Sequence, residues 1–143
     1  MNWESRLTAI GSLEAVQGVT VTAELTGKVV RIAFTSGAVV DAGELLVQQD
    51  IALESAQLRA AEANLTLSRA NYKRAKDLYS EKVVTQAAYD QAQANLKQAR
   101  AEIDRIQAII EKKTIQAPFA GRLGIRRIDL GQIIKEGDPI VSL

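Results

Sequence analysis

The stretch Gly27-Lys28-Val29-Val30-Arg31-Ile32-Ala33-Phe34-Thr35-Ser36-Gly37-Ala38-Val39-Val40-Asp41-Ala42-Gly43-Glu44-Leu45-Leu46-Val47 decides the fold, because the chain carries its pattern twice. Its glycines stand ten and then six residues apart, and Gly121, Gly131 and Gly137 repeat that spacing. The residues between them agree in type: Val29 with Leu123, Phe34 with Ile128, Val39 and Val40 with Ile133 and Ile134, Leu46 with Ile140, Val47 with Val141. Glycine reaches positive φ without steric cost, so these positions read as tight turns. Ser36-Gly37 and Ala42-Gly43 mark two of them, with short apolar runs between and after. No strand, glycine loop and helix follow one another at the spacing of a phosphate cradle.

Upstream, Val19, Val21 and Ala23 alternate with Thr20, Thr22 and Glu24, the period of a strand with one buried face. Gly27 breaks that run, and Val30, Ile32 and Phe34 suggest a second alternating strand. The second half repeats the plan from Leu123 to Ile128, then Ile133-Ile134 and Ile140-Val141. The agreement is imperfect, since Arg31 aligns with Ile125 and Ile32 with Arg126. The expected β domain is discontinuous, residues 8–50 and 114–143. Its roughly 70 residues lie near the lower limit for an independent core, so the halves must pack on each other.

Between the halves lies a helical segment, expected over 51–113. Neither proline nor glycine occurs from Asp50 to Glu111. Leu58, Leu65, Tyr72 and Tyr79 recur every seven residues, with Ala61, Ser68 and Ala75 between them. Tyr89, Leu96, Ile103 and Ile110 form the second series, with Ala92, Ala99 and Ile106. Such heptads predict an antiparallel, left-handed two-helix coiled coil, roughly 40–45 Å long at 1.5 Å per residue. Asp50 reads as the N-cap of the first helix and Thr85 as that of the second; Lys112-Lys113 suit a C-terminal dipole. The fold class is therefore α+β: a β-sandwich of two halves interrupted by a long helical hairpin.

Charged residues along the hairpin read mostly as a solvated face. Near its turn Arg69, Lys73, Arg74 and Lys76 outnumber Asp77 and Glu81, and Val83-Val84 are apolar at an exposed bend. That combination marks the tip as the candidate contact site.

Composition narrows the function. Eighteen basic and 17 acidic side chains leave a net charge of +1, so overall charge gives no reason to expect nucleic acid. Cysteine and histidine are absent, which removes disulfides, thiolate or imidazole metal sites and the usual base of nucleophilic triads. No nucleophile–base pair can be named, so the reading is not an enzyme, with no cofactor. No apolar run is long enough to span a bilayer. The start Met1-Asn2-Trp3-Glu4-Ser5-Arg6 lacks a signal peptide's apolar core, and Ile140-Val141-Ser142-Leu143 reads as a strand cut short. The expectation is a piece of a longer chain.

Gly27, Val29, Ile32, Gly37, Val40, Gly43 and Leu46 resemble the first lipoyl half of periplasmic membrane-fusion (adaptor) proteins. Ile115, Ala117-Pro118-Phe119, Gly121 and Gly124, followed by Gly131, Ile134, Gly137 and Ile140, resemble the second. The resemblance covers about residues 12–143 and implies a lipoyl/biotinyl-like β unit carrying a hairpin. It implies a structural role linking an inner-membrane efflux transporter to a TolC-type outer-membrane channel, in a ring, commonly a hexamer. The parent protein would be periplasmic and anchored to the inner membrane. The family's tip pattern is Arg, with Leu four and Ser eleven residues later. Arg74 and Leu78 match it and Thr85 stands in the serine position, so these three become the implied channel contacts. The lipid-anchor cysteine, β-barrel domain and membrane-proximal domain of the family have no counterpart in this sequence. Two other readings stay open: a type I protein-secretion adaptor, and a lipoyl or biotinyl carrier domain. The carrier reading lacks a modifiable Met-Lys turn. A metal-delivering role finds no soft ligands, methionine occurring only as Met1.

Overall fold

The computed structural model describes residues 18–143, so the expected β residues 8–17 lie outside the described part. The chain divides into two compact units, Met1–Asp50 with Lys112–Leu143, and Ile51–Glu111. The first is all β. Strands β1 (Thr20–Thr22), β2 (Gly27–Ile32), β3 (Val39–Val40) and β4 (Leu45–Gln49) come from the first half. Strands β5 (Thr114–Gln116), β6 (Gly121–Arg122), β7 (Ile133–Ile134) and β8 (Pro139–Ser142) come from the second.

The halves interleave. The sheet orders are β1-β8, β5-β4-β2-β7 and β3-β6, and all pairs are antiparallel. The offset that carries Gly27 to Gly121 carries each strand onto its counterpart and each inter-half ladder onto another. Thus Val21 faces Val141 as Ile115 faces Val47, and Gly27 faces Ile134 as Gly121 faces Val40. Even the register break between Val21 and Thr22 recurs between Leu45 and Val47. Turn bonds match too: Gly43 N–H donates to Ala117 O, and Gly137 N–H to Ala23 O, both at 2.8 Å.

The core shows the same relation. Its fourteen buried residues form seven equivalent pairs: Val21/Ile115, Ala23/Ala117, Val29/Leu123, Phe34/Ile128, Val40/Ile134, Leu46/Ile140 and Val47/Val141. Each half supplies one side of a single apolar interior, so neither can bury its face alone. Gly37, Gly43, Gly131 and Gly137 have φ of 81–88°, the left-handed turns expected of them. Gly27 and Gly121 differ from the expectation: they open strands, and crowding rather than φ explains them. A Cβ on Gly27 would lie 3.0 Å from Gln49 Nε2, and one on Gly121 3.2 Å from Leu143 Cδ1.

Three local expectations are corrected. Val29, not Val30, points into the core, although Phe34 does too. Simple alternation would place residues five apart on opposite faces. A bulge restores the parity: Val29 pairs with Gln49 but Arg31 with Gln48, leaving Val30 as the extra, exposed residue. In the second half Leu123–Ile128 is not a regular strand, for β6 ends at Arg122. Leu123 and Ile128 are still buried, and Arg127 N–H still reaches Ile140 O as Ala33 N–H reaches Leu46 O. Asp50 does not occupy the N-cap position: its N–H donates to Lys28 O at 2.8 Å as a continuation of the sheet, and the cap falls on the next residue, Ile51. Helix α1 (Ala52–Ser80) instead begins after Ile51, which offers no side-chain cap.

Helix α1 has 29 residues and α2 (Gln86–Lys113) has 28, each about 43 Å long. They pack antiparallel along the heptad seam. Ala61, Ile103 and Ile106 form its buried centre, flanked by Leu58, Leu65 and Ile110. Glu54, Ser68, Leu96 and Ala99 are buried at neighbouring seam positions. Among the described residues no helix is long and apolar enough to cross a membrane.

Candidate functional site at the hairpin turn

The turn is closed by hydrogen bonds at both ends. Helix α1 ends in a Schellman arrangement: Val83 N–H donates to Leu78 O (2.8 Å) and Lys82 N–H to Tyr79 O (3.0 Å). The pivot is Lys82, at φ 61°, the one non-glycine residue with positive φ among the described residues. Ser80 Oγ donates to Asp77 O at 2.7 Å, which ties down a further terminal carbonyl. Thr85 begins α2 as expected, its Oγ1 accepting from Ala88 N–H at 3.1 Å. Only Glu81–Thr85 lie between the helices, so the tip is short and defined on both sides.

The three expected contact residues occupy distinct places on it. Arg74 is exposed, and its Nη1 donates to Asn71 Oδ1 at 3.3 Å. Leu78 is half-buried, one helical turn beyond Arg74 on the same face. Thr85 is exposed at the start of α2, with its hydroxyl engaged in the cap. No hydrogen bond joins Arg74 to Thr85 among the described residues. The structure therefore sets Arg74 beside Leu78 on α1, with Thr85 at the start of α2 across the turn.

Seam geometry also divides the basic cluster. Asn64, Asn71 and Leu78 stand seven apart on one flank of α1, beside Leu67 and Arg74. There Asn64, Leu67 and Asn71 line an open cleft with Asn95, Gln98 and Glu102 of α2. Arg69 and Lys76, with Lys73, fall on the opposite flank. One side of the hairpin is rich in amides and the other in charge. Arg74 and Leu78 belong to the amide side. Glu102 there is ion-paired to Arg105 at 2.7 Å, and the Arg105 hydrogen bond holds its carboxyl below the usual range.

Below the turn sits an aromatic stack that sequence reading did not assemble. The Tyr79 and Tyr89 rings are 5.0 Å apart and 4° from parallel; Tyr72 and Tyr89 are 5.9 Å apart. The Tyr72 and Tyr89 hydroxyls approach to 3.4 Å. That hydrogen bond and partial burial raise the Tyr89 phenol above its ordinary pKa. The signal was available, since Tyr72 and Tyr79 lie on the heptad series of α1 and Tyr89 on that of α2, and an antiparallel hairpin turning near Val84 brings Tyr79 opposite Tyr89. Tyr79 remains partly exposed rather than buried in the seam. The described residues contain no His, Cys, Asp or Glu cluster able to hold a metal.

Residues 50–120 match the family described as RND MFP, alpha-helical hairpin domain. The chain belongs to the membrane-fusion (adaptor) proteins. It is 33% identical over 141 residues to an uncharacterized protein of Haemophilus influenzae, covering 99% of this chain and 37% of that one. It is also 33% identical over 153 residues to multidrug resistance protein MdtA of Proteus mirabilis, covering 96% and 37%. The chain thus spans a little over a third of these relatives' length. A solved MacA-MexA chimera containing the Pseudomonas aeruginosa MexA alpha-hairpin domain is similar at a TM-score of 0.83 and 25% identity. That likeness covers 89% of this chain and 47% of the chimera. The adaptor fold is thus a lipoyl-like β unit whose two halves flank a helical hairpin in sequence.

Proposed function

We propose that this chain is the lipoyl and hairpin portion of a periplasmic adaptor that couples an inner-membrane efflux transporter to a TolC-type outer-membrane channel. It acts as a structural connector and not as an enzyme. The lipoyl part runs over 8–50 and 114–143 and the hairpin over 51–113. The parent protein is anchored to the inner membrane and self-associates into a ring, six subunits by resemblance, with transporter contacts in domains outside this sequence. The observation that carries the reading is the doubly closed turn that presents Arg74 and Leu78 on one face with Thr85 capping the next helix.

Each residue has a chemical part in that contact. Arg74 spends one of its donors on Asn71 and keeps the others for carbonyl or carboxylate oxygens of the channel. Leu78 packs into an apolar notch. Thr85 Oγ1 can donate its proton to a partner while accepting from Ala88 N–H. In the full-length adaptor, Arg74→Asp reverses the charge at an exposed site and leaves the seam intact. The expected result is an unchanged circular dichroism melt together with drug susceptibility equal to that of a strain lacking the adaptor. Wild-type resistance in that strain counts against the tip as the coupling site.

A further inference from the structure

The hairpin buries side chains only in its inner part, where α1 begins and α2 ends. The buried residues are Glu54, Ala61 and Ser68 in α1, and Leu96, Ala99, Ile103 and Ile106 in α2. Across residues 69–95, turn included, no side chain is buried. The apolar cluster of Leu58, Ala61, Leu65, Ile103, Ile106 and Ile110 stops short of that segment too. At the boundary Ser68 sets a hydroxyl among the seam side chains, and an open cleft of about 490 Å³ reaches the seam at Ser68 and Ala99. Beyond it the heptad positions hold Tyr72, Ala75, Tyr79, Tyr89 and Ala92, all at least partly exposed. A segment that buries so little apolar surface opens at lower free energy than the core beside it. What joins its two helical arms is the tyrosine stack, in which the one ring of α2 lies against two of α1.

We propose that residues 69–95 form a separate cooperative unit, latched by Tyr72, Tyr79 and Tyr89, which opens while the inner part of the hairpin and the β unit stay folded. Both limits of the unit are set by the structure. The polar layer at Ser68 lies where the apolar cluster stops. The turn, tied through Leu78 O, Tyr79 O and Thr85 Oγ1, belongs to the unit as a whole. Fraying outward from the turn does not describe this arrangement, because the best-bonded part of the segment is the turn and the rings stacked next to it. The amides nearest the turn are therefore released only when the latch breaks, and those of both arms go with them. Arg74, Leu78 and Thr85 all lie inside the unit, so the latch sets how often they are presented together. That consequence alone rests on the tip reading; the opening itself belongs to the chain without a channel.

Native-state hydrogen exchange of the complete chain, followed amide by amide in low urea, tests this. Amides of residues 72–79 and 89–95 share one opening constant and one urea slope, and that constant exceeds the one for residues 58–65 and 99–106 by about tenfold or more. Tyr89→Ala raises exchange by about tenfold in the outer segments of both helices, because the latch is lost, and moves the inner amides by less than about twofold. Lys82→Gly acts in the opposite direction. Glycine relieves the left-handed position at φ 61° within the same unit, so both outer segments slow by about threefold. A single opening constant for the whole hairpin overturns the proposal. So does exchange graded residue by residue toward the turn, or a Tyr89→Ala effect confined to α2. If the unit opens as described while full-length Arg74→Asp keeps wild-type resistance, the unit stands and only its link to channel coupling falls.

Discussion

Gly27 and Gly121 are equivalent by repeat but not by neighbour, and that difference can be measured. Beside Gly27 lies Gln49, fully buried, whose Nε2 donates to Leu25 O at 2.8 Å. The equivalent residue beside Gly121 is Leu143, half-buried and apolar. A methyl group on Gly27 would press on both Nε2 and the Cβ of Gln49, at 3.0 and 3.3 Å, and so on a side chain fixed by its hydrogen bond. A methyl group on Gly121 meets the flexible end of a leucine at 3.2 Å. Gly27→Ala is expected to cost about 1–3 kcal/mol, the range of overpacking in a closed core, and Gly121→Ala under ~1 kcal/mol. Urea unfolding of both variants checks this through the midpoint, with the slope unchanged. Equal losses would mean that Gln49 yields as readily as Leu143. None of this was visible in the sequence, where both glycines read as turns, because crowding depends on a partner strand 22 residues away in each half.

The hairpin was more legible, because a heptad states which residues meet before any partner is known. Leu96, Ala99, Ile103 and Ile106 are buried where the seven-residue spacing put them. Thr85 caps α2 for the same local reason, while Asp50 stands one residue short of the cap position, its N–H still donating to Lys28 O in the sheet. Val30 failed likewise, since a bulge is set by the strand opposite. At the tip, the family resemblance pointed to Arg74, Leu78 and Thr85, but nothing in the sequence marks Lys82 as left-handed. The tyrosine stack gives this element a pH dependence. The Tyr72 hydrogen bond and burial favour the neutral Tyr89 phenol, so its folded pKa lies above the unfolded value of about 10. The associated stability is fully present below pH ~10 and is lost as pH rises through the folded value. Tyr89→Phe cannot ionise, so its melting temperature should fall less steeply between pH 9 and 11, in roughly that window, than wild type. Circular dichroism melts across that range decide it, and parallel slopes would show that the stack does not couple to titration.

At the scale of the whole molecule, the interleaving of the halves makes the β unit self-sufficient in a way the order of the chain hides. All seven core pairs join residues of Val21–Val47 to residues of Ile115–Val141, and no core residue comes from the hairpin. The strands that leave for and return from the helices are tied inside the β unit itself. Gln48 Nε2 donates to Gln49 O at 2.8 Å and to Lys113 O at 3.3 Å, while Thr114 Oγ1 donates to Gln48 Oε1 at 3.0 Å. These bonds hold the two chain crossings side by side, so a short connection can replace Ile51–Glu111. Closing a loop of a few residues costs less entropy than ordering a long one, and no buried apolar surface of the core is lost. A chain with that segment replaced by a short glycine–asparagine linker should keep β-sheet circular dichroism and a single cooperative melt. The first half alone, ending at Asp50, should show neither, because its face of every core pair is left in water. If the linked chain is unfolded while the complete chain is not, the hairpin is part of what holds the halves together. The repeat would then be a record of ancestry rather than of packing. If it folds, the helices are free to be lengthened, shortened or re-tipped without cost to the sheet.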